Sequence, residues 1–79
     1  MIYKYLVPEH YKKMYNNKEV IYCKVIKKID GIEPKIYLVK MINLMGVYNI
    51  FNRKSLKRLN LLDIIKVIFL KRRDTNEKV

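Results

Sequence analysis

A chain of 79 residues has room for one domain, and its 51% hydrophobic content excludes intrinsic disorder, because the apolar side chains suffice to offset the entropy of ordering. Eighteen basic residues against seven acidic ones leave a formal charge of +11 at pH 7, a field that attracts nucleic acid, anionic lipid or an acidic protein surface. The lone Cys23 excludes an intrachain disulfide framework and a multi-cysteine zinc site and fits a reducing, cytoplasmic setting.

The first segment, Ile2 to Val7, alternates and stops at Pro8, which reads as a strand. Lys4 and Pro8 interrupt its apolar run, so a signal peptide is not expected there. Glu9 to Tyr15 sets Tyr11, Met14 and Tyr15 on one helical face behind Pro8, predicting a short helix or an irregular arm that ends at Asn16-Asn17. Glu19 to Ile29 is the clearest strand, with Ile21, Cys23, Val25 and Ile29 on one side and Lys24 and Lys28 on the other.

Asp30-Gly31 with Ile32-Glu33-Pro34 supplies turn chemistry. Lys35 to Ile42 then alternates again, Ile36, Leu38 and Ile42 lying opposite Tyr37, Val39 and Met41. A second turn over Asn43 to Gly46 leads into a strand from Val47 to Phe51, completing an antiparallel meander. Ser55 is placed to cap a helical turn through Leu56 to Leu59. Leu59 to Leu70 is apolar on every side of a helical wheel; its β-branched run, Ile64-Ile65-Lys66-Val67-Ile68, assigns it as a buried last strand. It falls far short of the ~20 apolar residues that cross a bilayer. The domain is drawn over residues 1–73, with 74–79 as a polar, frayed tail.

Short strands, a glycine turn between the third and fourth, and a helical turn before the last make a mainly β or small α+β fold. From about Val20 to Leu70 the pattern resembles the SH3-like small barrels of Tudor and KOW modules, an analogy of fold that transfers no function. A two-layer α+β arrangement is the alternative.

Local catalytic motifs are sparse. Cys23 with His10 is the one thiol and imidazole pair, and Cys23 lies on the apolar side of a strand, where a thiol stays neutral. One His and one Cys thirteen positions apart match no zinc-ligand spacing, so neither a metal nor a cofactor is expected. Asp30 is a turn former, and Gly31 and Gly46 are isolated turn residues rather than a phosphate loop. A non-enzymatic protein is expected. The exception is a small ribonuclease-type toxin acting through Lys, Arg and Tyr, which needs no local signature.

The basic residues carry the functional expectation. Arg53, Lys54, Lys57 and Arg58 place four cations within six residues, and Lys71, Arg72 and Arg73 follow the last predicted strand. If the sheet closes as a barrel, the two clusters share an end, where cations would release counterions from phosphates. Tyr11 and Tyr15 interleave with Lys12 and Lys13 in the mixture of stacking faces and charge that single-stranded nucleic acid uses. Tyr37 and Tyr48 are expected on the outer sheet face, and Tyr3, Tyr5 and Tyr22 in the core.

The leading expectation is therefore a small basic module that binds DNA or RNA by phosphate contact and aromatic stacking. The competing one is a phage or mobile-element accessory or inhibitor protein bound to an acidic or nucleic-acid-bound host or viral protein; the short, AT-skewed, motif-free chain motivates it. A homodimer would help so small a core. Adsorption to membrane lacks an amphipathic helix in this reading.

Overall fold

Apolar and polar residues alternate along most of the chain up to Lys57, and that period builds an antiparallel sheet. The computed structural model describes residues 1–29 and 35–77, the last five by backbone alone. β1 (Ile2–Leu6) leads through a 3-10 helix (Glu9–Tyr15) to β2 (Val20–Ile29). β3 (Ile36–Met41) and β4 (Val47–Asn52) follow, and a 3-10 turn (Arg53–Ser55) joins β4 to the short β5 (Leu56–Lys57). The chain then enters α1 (Leu61–Glu77). The predicted turn over Asp30–Pro34 lies outside the described residues.

The sheet order is β4-β3-β2-β1-β5. Residues directly opposite on paired strands share a face, so the registers put Tyr3, Tyr5, Ile21, Cys23, Val25, Tyr37, Val39, Met41, Phe51 and Leu56 on one side. This is the core, with Ile21, Val39 and Cys23 fully enclosed. In a flat sheet β1 and β4 would lie three strand spacings apart, about 14 Å. Yet the rings of Tyr5 on β1 and Phe51 on β4 stand 4.4 Å apart. The sheet therefore curls until its two sides meet around the core, while β4 and β5 remain its edges. The expected closure into a barrel is not made by these ladders; the architecture is a strongly curled five-stranded sheet with one helix, a small α+β fold.

Three expectations are corrected. A β-bulge shifts the β2–β3 register between Val25 and Lys27, and an extra residue in one strand reverses the faces beyond it. Lys28 thus joins Tyr37 on the core side and Ile29 moves to the other, the reverse of simple alternation. Ser55 does not cap a turn over Leu56–Leu59. The turn sits earlier, capped by Asn52, whose side chain accepts from the Lys54 amide at 3.0 Å, and Leu56–Lys57 is a strand.

The third correction concerns the predicted strand over Leu59–Leu70, which is helical from Leu61 onward. Asn60 and Asp63 form a reciprocal capping box: the Asp63 amide donates to Asn60 Oδ1 at 2.9 Å and the Asn60 amide to Asp63 Oδ2 at 3.0 Å. Once nucleated, the helix runs to Glu77.

Candidate functional site

α1 lies against the outer face of the sheet. Asp63 receives Lys4 Nζ at 2.7 Å and the Tyr22 hydroxyl at 3.1 Å, and Val67 is buried one turn on. Its hydrogen bond from Lys4, then the Asn60 amide, holds the Asp63 carboxyl below its ordinary range despite the opposing effect of burial. Burial, reinforced by the Asp63 hydrogen bond, raises the Tyr22 hydroxyl above its usual value.

The cations singled out by sequence take different surroundings. Arg53 is half-buried: its guanidinium lies over the Tyr3 ring at 4.4 Å and donates through Nη1 to the Leu56 carbonyl at 2.9 Å. It links the start of β5 to the Tyr3 ring on β1. Lys54, Lys57 and Arg58 are exposed, Lys57 standing opposite Lys4 on β1. Lys71 and Arg72 are exposed on α1, while the Arg73 side chain lies outside the described residues. Eight residues of helix separate Lys71 from Asp63, a rise of about 12 Å, and Lys71 lines a cleft together with Leu59, the neighbour of Arg58.

The Lys12, Lys13, Tyr11 and Tyr15 group is also divided. Lys12 pairs with Glu9 at 2.8 Å and reaches Glu19 at 3.8 Å, and the Glu9 hydrogen bond raises its pKa. Lys13 and Tyr11 are exposed, the latter ring 4.2 Å from that of His10. Tyr15 turns inward, 5.7 Å from Tyr5, and its hydroxyl accepts from Asn49 Nδ2 at 3.3 Å. Cys23 is fully buried and its thiol is pushed up to about 12 by desolvation, which keeps it neutral.

What the strand pairing does assemble is a different basic and aromatic surface. Lys24 on β2 lies opposite Lys40 on β3, and Lys40 opposite Tyr48 on β4, forming one row across three strands of the outer face. In the next row Lys27 lies opposite Leu38 and Leu38 opposite Ile50. Lys24, Lys27 and Lys40 are exposed, Tyr48 is 59% exposed, and none of the ion pairs among the described residues uses these lysines. Tyr37 does not share this face; it is buried on the core side, with Lys28 Nζ 5.6 Å from its ring.

The β3–β4 turn shapes the same row. Gly46 adopts φ +68°, and a Cβ there would lie 2.8 Å from Lys40 Cε, so the lysine stem crosses the space a side chain would occupy. Alternation in the sequence places Lys24 on the side of β2 away from Ile21, Cys23 and Val25, and Lys40 on the Ile36–Leu38–Ile42 side of β3. Their juxtaposition with Tyr48 depends on registers set by the β2 bulge and the β3–β4 turn. Among the described residues, no three His, Cys, Asp or Glu side chains come together to hold a metal ion, and no described helix is long and apolar enough to cross a membrane. Comparison of the chain with known protein families, with curated proteins and with solved structures gives no match.

Proposed function

We propose that the protein is a small nucleic-acid-binding module that engages a single strand along the outer face of β2, β3 and β4. The observation that carries this reading is the Lys24–Lys40–Tyr48 row, two exposed lysines and an exposed aromatic ring in one line across the sheet. Lysines at adjacent positions suit successive phosphates, whose condensed counterions are released on binding. An exposed ring beside them offers a stacking face that any base can use. Lys27 continues the positive surface, while Lys54, Lys57 and Arg58 contribute to the field that draws a polyanion in.

Within this reading the curled sheet is of the SH3-like kind. The consecutive β2–β3–β4 meander, the return of β5 to β1, the Gly46 turn and the 3-10 turn directly before β5 all support it.

The test is fluorescence anisotropy of labelled single-stranded DNA and RNA from ~50 to ~200 mM salt. With both Lys24 and Lys40 changed to Glu, affinity falls at least about tenfold and the logarithmic salt slope drops by roughly 1.4, two phosphates at about 0.7 each. Tyr48→Ala weakens binding by about 1–3 kcal/mol with the slope retained. Affinity and slope that stay at wild-type values in the double variant would sink the proposal.

A further inference from the structure

The outward side of α1 carries Leu62, Ile65 and Phe69 at i, i+3 and i+7, the spacing at which one helix presents knobs to another. Leu61 and Ile68 widen this stripe. All five are exposed, Leu61 by 73%, Leu62 by 68% and Phe69 by 66%. They cannot turn inward, because the capping box and the bonds from Asp63 to Lys4 and Tyr22 fix which side of the helix meets the sheet. A contiguous apolar stripe left in water marks an interaction surface.

Charge specifies the occupant. From Leu61 to Arg72 the single acidic residue is Asp63, already committed against the sheet, whereas Lys66 and Arg72 lie on the exposed part of the helix. Lys66, Arg72 and Lys18 also rim a cleft of about 680 Å³ floored by Tyr22, Phe69 and Leu70, and none of the three takes part in an ion pair among the described residues. A second cleft of about 530 Å³ runs along the other flank, past Ile64 and Ile68. The surface is thus an apolar ridge between two hollows with cations at its border. A second copy would bring like charges together, each chain carrying +11. A lipid surface would meet the ridge but leave the hollows unfilled, whereas side chains of a protein enter them.

We propose that the outward face of α1 docks an amphipathic acidic helix of a different protein, whose apolar seam covers Leu62, Ile65 and Phe69 while its flanking carboxylates meet Lys66, Arg72 and Lys18. This surface adjoins the Lys24–Lys40–Tyr48 row, because Lys24 also lines the second cleft; Lys40 and Tyr48 line neither cleft, so substitutions there test the row without touching the helix surface.

The experiment titrates the full chain into two labelled three-heptad helical peptides with Leu at the seam positions, one flanked by Glu and the other by Lys. The Glu peptide is expected to bind saturably and the Lys peptide about tenfold more weakly or not at all. Phe69→Glu abolishes binding. Lys66→Glu weakens it several-fold, with a smaller loss at high salt, and neither change alters oligonucleotide affinity. Leu62→Gln, a milder change at an exposed site, repeats the loss if Phe69→Glu does not fold. Equal binding of the two peptides, no binding of either, or undiminished binding by Leu62→Gln overturns the proposal. A concentration-dependent dimer abolished by Ile65→Glu overturns it in favour of a second copy. Tighter binding to phosphatidylglycerol-containing vesicles than to the Glu peptide, lost in Phe69→Glu, overturns it in favour of a lipid surface.

Discussion

β3 and the first three turns of α1 are similarly rich in large apolar residues, yet they bury them very differently. In β3 the period of two sends Tyr37, Val39 and Met41 into the core and leaves Lys40 outside. In α1 the apolar residues surround the helix, and only Val67 among them is buried, while Ile64, Ile65, Ile68 and Phe69 stay exposed. A helix has one side to offer a sheet. Apolar residues on its remaining sides are left partly or mostly uncovered in the single chain, and their presence here is what directs attention to a partner.

Substitutions that separate the two regions are expected to differ most in stability. Met41→Ala empties part of the enclosed core and costs about 3 kcal/mol, most of the ~3–5 kcal/mol that a core of this size supplies, so the urea denaturation midpoint falls steeply. Asp63→Ala removes half of the capping box and the partner of Lys4 and Tyr22, costing about 2 kcal/mol and loosening α1 before the sheet, as hydrogen exchange along the helix would show. Because the folded carboxyl titrates below its ordinary value, Asp63 contributes full stability above the unfolded pKa near 3.9, and that contribution disappears as the pH falls through the lowered folded value. Wild type and Asp63→Asn should therefore differ in melting temperature at neutral pH and converge in acid.

Gly46→Ala places a side chain at positive φ and costs about 1 kcal/mol. It also displaces Lys40, so oligonucleotide affinity should fall along with the melting temperature. At the small end, Ile65→Gln on the outward side of α1 changes stability by less than about 0.5 kcal/mol. A loss as large as that of Met41→Ala would show that the isolated chain already covers this stripe, and the contrast between the two regions would collapse.

The four principal strands were legible because alternation is a local signal: Ile21 and Cys23 in β2, and Tyr37, Val39 and Met41 in β3, lie inside as their spacing demands. The helix was also written locally, in Asn60 and Asp63 three positions apart, but the β-branched run from Ile64 to Ile68 spoke more loudly for a strand. β propensity largely measures fit to a half-buried pleated surface; against a capped first turn, it did not decide. Cations were visible as clusters in sequence, but nearness along the chain does not set where each side chain goes. Arg53 went to the Tyr3 ring and Lys12 to Glu9, whereas Lys24 and Lys40, sixteen positions apart, came to lie side by side.

By itself the sequence determined the strong positive charge, the alternating strands and the buried thiol, because charge and periodicity need no knowledge of what lies across the fold. Only the tertiary structure decided which lysines share a face with Tyr48 and which side of α1 is left uncovered. Those follow from a one-residue bulge in β2 and from the hydrogen bonds of Asp63, where a shift of one position exchanges the inside for the outside.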